Sequence, residues 1–345
     1  MTWPTPEFSK SQINKAGRIL VDPPSPEDLA WAREVLSNWR ACHGYPINTF
    51  QATLRDKLKR LGLTDAFVAQ RLKRMPSIIA KLKRFKDMNL ARMQDIGGIR
   101  AVVPTVQAVR QIVAQYKEST FRHELVSEKD YISEPKEDGY RSVHFVFRYK
   151  NELHRQYDGL LIELQIRTRL QHAWATAVET VDTFLGKRLK ADQGDQDWLH
   201  FFAVTSAAFA HLEETQPVPG YQHLLRWETF RQVAAVEEDL GALAQLKVFS
   251  EAVRDMPQQG RGSYHLVILN SKEKTVSIRP YAQRSLAQAM VDYAQTETRA
   301  SEGEPIEVVL VSAGPIAQLR RAYPNYFLDT KEFVARVQGI IGSES

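Results

Sequence analysis

Two carboxylates stand where an apolar strand makes charge expensive. Asp95, in RMQDIGG, sits at the mouth of a strand entered through Gly97-Gly98, and Glu163 lies mid-strand among Leu161, Ile162 and Leu164. A carboxylate in such surroundings is costly to bury unless it is paired or bound to a cation. Two of them on adjacent strands are the usual way to hold Mg²⁺, which keeps several waters and draws further ligands from phosphate oxygens. Salt bridges to Arg100 and Arg167 would satisfy the same acids, so spacing alone leaves both readings open. The residues around them alternate. Tyr140, Ser142 and His144 share one strand face while Val143, Phe145 and Phe147 share the other, and Glu163, Gln165 and Arg167 alternate with Ile162, Leu164 and Ile166. One face of each strand is core; the other presents an aromatic, an acid, an amide and a guanidinium, side chains suited to a nucleotide and a metal.

The elements that must position these groups follow from periodicity and punctuation. Pro23-Pro24-Ser25-Pro26 is a turn, with Ser25 or Asp28 capping a helix through Trp31, Val35 and Trp39 to about His43. An amphipathic helix is expected from Ile47 to Leu61, and a short strand from Phe67 to Arg74 would place Arg71 and Lys73 on one face. Pro76 opens a helix whose apolar stripe is Ile78, Leu82 and Phe85, with Lys81 and Arg84 flanking it on one side. A buried strand over Ile96–Val103, a helix over Val106–Tyr116, strands near 122–130, 140–149 and 159–168, and helices over Thr168–Gly186 and Asp195–Glu214 complete this part. QPVPGY, 216–221, is the clearest linker signal. Beyond it the pattern predicts a long helix from Leu224 to Asp255, strands at Tyr264–Asn270 and Thr275–Pro280, a helix over Ser285–Thr298, a strand at Ile306–Ser312 and one or two closing helices. Two units result, 1–218 and 222–345, the second a small α/β module with its own apolar strands.

Composition narrows the class. A chain of 345 residues with 43% hydrophobic and 25% charged content is a soluble globular protein, long enough for one large or two ordinary domains. It has no apolar run of membrane-spanning length, and MTWPTPEFSKSQINK lacks the apolar core of a signal peptide. Cys42 is the single cysteine, which excludes intrachain disulfides and cysteine-rich zinc sites and marks an inert buried residue; cytoplasmic residence is the default. Net charge is +5, but between Arg55 and Arg100 stand 13 Lys or Arg against four Asp, a setting for a triphosphate or a nucleic acid, or simply a solvated helix face. No GxxxxGK[ST] loop, no GxGxxG after a strand, no His-Asp pair and no HExxH are present.

RMQDIGGIRAVV, DYISEPKEDGYRSVH and ELQIRTRLQHAWA resemble three successive motifs of the RelA/SpoT alarmone synthetase domain, and the preceding RLKRMPSIIAKLKRF resembles that family's basic ATP-binding segment. The similarity runs from about residue 45 to about 215, in order. It implies an α+β fold, a nucleotidyltransferase-like mixed β-sheet flanked by helices, to which the C-terminal module is appended. It also implies Mg²⁺-dependent transfer of the β,γ-pyrophosphate of ATP to the 3′-hydroxyl of GDP or GTP. Carried over by residue, Asp95 matches the Mg²⁺-binding aspartate, and Glu163 the glutamate that helps hold the metal and activates the hydroxyl. Tyr140 matches the tyrosine on which the acceptor base stacks. Lys136, His144, Gln165 and Arg167 match the acceptor side; Arg71, Lys73, Lys81 and Arg84 match the cluster on the phosphates and adenine of ATP. Cations and a metal are wanted because such a transfer depends on positioning and on neutralising spreading charge.

The same residues carry blander readings. His172 and Trp174 read as packing residues, Tyr131 as core, and Arg141 as structural. The family often continues the Trp-Ala helix with a Glu-His pair, whereas here Glu179 is followed by Thr180. The hydrolase half and recognisable regulatory domains of long members are missing, so the chain resembles a synthetase-only protein. A toxic relative that pyrophosphorylates the 3′ end of tRNA or another nucleotide is the alternative, with 222–345 as a restraining or sensor module; a nucleotide-binding module without catalysis is a third. An oligomerising cap is the plain reading of that module, so a homo-oligomer fits as well; a membrane partner does not.

Overall fold

A computed structural model describes residues 3–118, 121–185, 196–251, 264–270, 272–273, 275–312 and 330–343. The N-terminal helices are α1 (Lys10–Val21), α2 (Pro26–Cys42) and α3 (Gly44–Arg60). The sequence pattern gave no notice of α1, although its signal is present: Ser9 accepts from the Gln12 backbone while the Gln12 side chain answers Ser9, a reciprocal cap. Ser25 caps α2 as expected. Strand β1 (Phe67–Leu72) and helix α4 (Met75–Arg84) follow, then β2 (Gly97–Val103), α5 (Val106–Glu118), β3 (Glu124–Asp130), β4 (Val143–Arg148), β5 (Leu161–Thr168), α6 (Arg169–Leu185) and α7 (Gln196–Leu212). Gly186 and Asp195, expected at the ends of those last two helices, lie outside the described residues. Phe85, expected on the apolar stripe of α4, is 47% exposed, because the helix stops at Arg84 and Phe85 turns away at φ −115°.

The strands form one mixed sheet in the order β1-β2-β5-β4-β3. Only β2 and β5 run parallel, with Gly98 beside Glu163 and Arg100 beside Gln165; the other neighbours are antiparallel. Ile99, Ala101, Val103, Phe145, Phe147, Ile162, Leu164 and Ile166 bury one face against α1 to α5. The opposite face holds the polar residues and is roofed by α6 and α7. The mixed α+β fold with helices flanking a sheet is the one expected.

Past the linker the expected long helix is two: α8 (Arg226–Leu240) and α9 (Ala242–Glu251). Gly241 separates them at φ 62°, a left-handed cap that ends α8, and the Glu237 carboxylate accepts from the Leu243 N–H at 3.1 Å to start α9. Strands β6 (Tyr264–Asn270), β7 (Thr275–Tyr281) and β8 (Ile306–Ser312) make a second antiparallel sheet, order β7-β6-β8, with α10 (Leu286–Ser301) packed on it. The chain closes with α11 (Lys331–Gly342). Two packing groups result. The second sheet and α10 lie against β1 and α2, while α8, α9 and α11 join α6 and α7 in a core that includes Trp174, Trp198, Phe202, Phe230 and Phe333. Residues from both sides of QPVPGY thus share one hydrophobic cluster. No helix among the described residues is long and apolar enough to cross a membrane.

Candidate functional site

The polar face of the sheet, with the end of α4, the middle of α6 and the wall of α7, lines a cavity of about 490 Å³. On one side the end of β1 and the last turn of α4 converge on Asp95: Lys73 Nζ lies 2.9 Å from Oδ2 and Lys81 Nζ 3.0 Å from Oδ1. The Lys73 backbone N–H donates to the Ile96 carbonyl at 2.8 Å, which anchors the end of β1 to the β2 entry beside Asp95. Burial opposes ionisation of Asp95, but Lys73 and Lys81 outweigh it and hold the carboxyl below its ordinary range. Arg71 lines the same side. Arg84 does not line the cavity; its guanidinium lies 5.4 Å from the Phe85 ring centroid.

On the other side Glu163 projects from mid-β5. It pairs with His144 of β4, whose Nδ1 is 3.0 Å from Glu163 Oε1, and accepts from Gln165 Nε2 at 2.9 Å. Arg100, one of the two arginines that the sequence offered as alternative partners, reaches Glu163 through an amide: its Nε donates to Gln165 Oε1 at 3.2 Å, so Gln165 bridges guanidinium and carboxylate. The reason is register, since Arg100 and Gln165 are direct neighbours across the parallel pair. Burial pushes the Glu163 carboxyl up, yet the bond and charge of His144 pull it below its ordinary value, while the nearby Asp95 charge works against them. Arg167 is buried, 2% exposed, and bonded to the His172 ring; burial and the charge of Arg100 lower its pKa.

Tyr140 closes this side. Its hydroxyl is 2.8 Å from His144 Nε2, so tyrosine, imidazole and Glu163 form one chain of hydrogen bonds. Lys136 Nζ lies 4.6 Å from the Tyr131 ring centroid and 5.2 Å from that of Tyr140, a cation over two aromatic faces. Tyr131, expected in the core, is instead half-buried and lines the cavity, because β3 is an edge strand and the chain turns immediately after it. Its place at the start of DYISEPKEDGYRS was the available signal. The apolar wall of Leu199 and Phe202 from α7 had no such signal, since nothing distinguishes these residues from ordinary core. Trp174 also lines the cavity, with its indole N–H on the Phe202 carbonyl at 2.8 Å. Arg141 is structural as expected, buried and bonded to Ser206, Thr215 and the Gln216 carbonyl. Cys42 is buried, its thiol pushed up to about 12 by desolvation.

Gly139 is the hinge of the tyrosine. It holds φ +91°, and a Cβ there would meet Ser206 Cβ at 2.8 Å and Trp174 Cζ2 at 3.1 Å. Gly139→Ala is therefore expected to destabilise the fold by about 1–3 kcal/mol through strain and to displace Tyr140. Urea denaturation checks the first effect, and Tyr140-dependent nucleotide affinity the second.

Residues 70–181 match the family model described as "Region found in RelA / SpoT proteins". Over 116 residues, 32% of this chain and 53% of the relative, the sequence is 38% identical to GTP pyrophosphokinase YjbM of Bacillus subtilis. It is 32% identical over 115 residues to GTP pyrophosphokinase YwaC of the same organism, covering 31% of this chain and 52% of that one. The chain thus spans about half the length of the curated relatives it matches. Among solved structures, small alarmone synthetase 1 from Bacillus subtilis bound to its product pppGpp is similar at 27% identity, covering 49% of this chain and 88% of that chain, with a TM-score of 0.43. The segment that carries Lys73, Lys81, Asp95, Tyr140, His144 and Glu163 falls inside residues 70–181, the span that matches the RelA/SpoT model.

Proposed function

We propose that the cavity transfers the β,γ-pyrophosphate of ATP to the 3′-hydroxyl of GDP or GTP. The observation that carries this reading is the two-sided arrangement of the cavity: a lysine-clasped Asp95 on one side and the Tyr140–His144–Glu163 chain on the other, joined by parallel neighbouring strands. The names of the two Bacillus subtilis relatives agree with it. Arg71, Lys73 and Lys81 would take the triphosphate, whose spreading negative charge needs fixed cations more than it needs a covalent group. The ring of Tyr140 would stack on the guanine, with Lys136 beside it. The 3′-oxygen attacks the β-phosphorus, its proton passes to the Glu163 carboxylate, and the bond to the α-phosphate breaks with its electron pair leaving on AMP. His144 orients Glu163 for that proton, and Gln165 and Arg167 line the same side.

Asp95 and Glu163 suit Mg²⁺, because both oxygen donors line one cavity and Glu163 senses the Asp95 charge; the remaining ligands would be phosphate oxygens and water. Bound there, the ion would neutralise the triphosphate. We propose further that 1–218 forms the catalytic unit and 222–345 its appended module.

Incubation of the purified chain with ATP labelled in its β,γ-phosphates and with GDP, GTP or tRNA tests the reading. Label in the guanine nucleotide, with AMP released, supports it. Label confined to tRNA would overturn the acceptor, and nucleotide binding without any transfer would overturn the reaction. A pH experiment tests the base. The Glu163 carboxyl lies below its usual 4.5, so its ionised form persists as pH falls through that value. His144→Ala removes the main lowering partner and leaves burial and Asp95, both of which raise it, against the weaker hydrogen bond from Gln165. The acid limb of kcat/KM is expected to move to higher pH; an unmoved limb would show that His144 does not set this titration.

A further inference from the structure

The cation side of the cavity is held from an unexpected quarter. Glu297, on α10 in the C-terminal part of the chain, is 1% exposed, and its Oε1 accepts the Met75 backbone N–H at 2.6 Å. Met75 is the first residue of α4. A helix start leaves donors without intrahelical partners and carries partial positive charge, which a carboxylate satisfies on both counts. The local sequence does not supply this cap: Arg74, at the capping position, makes no side-chain cap bond, and Pro76 has no N–H to offer. The carboxylate itself is fixed by Arg40 of α2, with Nη1 at 2.5 Å from Oε2 and Nη2 at 3.3 Å from Oε1, and by the Tyr293 hydroxyl at 3.2 Å. Arg40 is buried as well. Three elements distant in sequence thus meet in one dry polar knot at the start of α4.

The other end of α4 carries Lys81, six residues on and about 9 Å along the axis, and Lys81 grips Asp95. A helix moves as a rod, so whatever fixes its first turn also fixes the lysine on its last. We propose that Glu297 is a positioning residue for the triphosphate side of the cavity: by capping α4 in trans it holds Lys81 on Asp95, and thereby couples the docking of the C-terminal sheet and α10 to the binding of the adenine nucleotide. The inference rests on the pyrophosphate-transfer reading for the identity of that nucleotide. The acceptor side is not attached to α4, so the coupling is one-sided.

Two double variants separate the cap from the ion pair. Arg40→Met/Glu297→Gln removes both charges together and keeps an amide oxygen for the Met75 N–H. Arg40→Met/Glu297→Leu removes the charges and the cap. Neither leaves a buried charge unpaired, so both avoid the large destabilisation of a half-broken pair. Each is compared with the wild type by calorimetric titration with a non-hydrolysable ATP analogue, by amide hydrogen exchange over 77–84, and by the KM values for ATP and acceptor. The Leu form is expected to bind the analogue about tenfold more weakly, the factor that loss of one cap supports. Its α4 amides should exchange faster while the acceptor KM stays within about twofold, and the Gln form should match the wild type. Equal analogue affinity in the Leu and Gln forms would overturn the proposal, as would weakening in both. Neither binding nor exchange requires turnover. A wild type that binds the analogue but transfers nothing therefore refutes the reaction, and one that binds no analogue refutes the reading of the cavity; a Leu form equal to wild type in affinity refutes the cap.

Discussion

Glu163→Gln is expected to lower the rate of AMP release by about 10³-fold while changing the affinity for ATP little, a loss of the size general-base removal produces. The substitution preserves shape and leaves one oxygen to face His144 Nδ1, which now lies 3.0 Å from the carboxylate. What it removes is the negative charge and the capacity to accept a proton. Because the Glu163 carboxyl is held below its ordinary range, it is ionised at neutral pH, the state that the proposed proton transfer requires. Lys73, Lys81 and Asp95 on the other side of the cavity are untouched, so those fixed cations still meet the triphosphate even where a metal loses its Glu163 ligand, which is why its binding should survive. Steady-state AMP release, calorimetric titration with the ATP analogue and thermal melting together separate chemistry from binding and folding. Retention of activity within about tenfold would remove Glu163 from the mechanism.

The second large effect concerns the roof of the cavity. Phe333, on α11 near the end of the chain, is fully buried, and its ring centroid lies 6.1 Å from Phe201, 5.9 Å from Phe202 and 5.8 Å from Phe209. Phe333→Ala is expected to destabilise the protein by about 3–5 kcal/mol, the cost of a large cavity in a packed aromatic cluster. Phe202 takes part in that cluster and in the cavity wall, and its carbonyl holds the Trp174 indole. Tyr140 packs against the same cluster, so the damage should spread to it. Urea denaturation measures the stability loss; a change below about 1 kcal/mol would mean that α11 contributes little to this core.

These two residues mark the limits of what could be read in advance. Glu163 was legible because a charged residue in the middle of LLIELQI breaks an apolar strand, and local contrast of that kind survives in one dimension. Phe333 was not, because an apolar residue on a closing helix carries no address. The same difference separates Tyr140 and His144, whose spacing of four near a turn placed them together, from Leu199 and Phe202, which became part of the cavity only when α7 folded over the sheet. The break at Gly241 was missed because a glycine within an otherwise continuous helical pattern reads as a tolerated cost until its positive φ is seen.

Local chemistry by itself determined the order of the strands and of most helices, the alternation that gives the sheet one dry and one polar face, and the identity of the two acids and the basic cluster. All of these depend on residues near one another in the chain, where periodicity, caps and turns act. Tertiary structure alone decided the pairings: Lys73 and Lys81 on Asp95, His144 rather than an arginine on Glu163, and Glu297 capping α4 from 222 residues away. Each of those rests on strand register or on helix docking. Register and docking are fixed by the sum of many apolar contacts across the whole fold, so no single stretch of sequence encodes them.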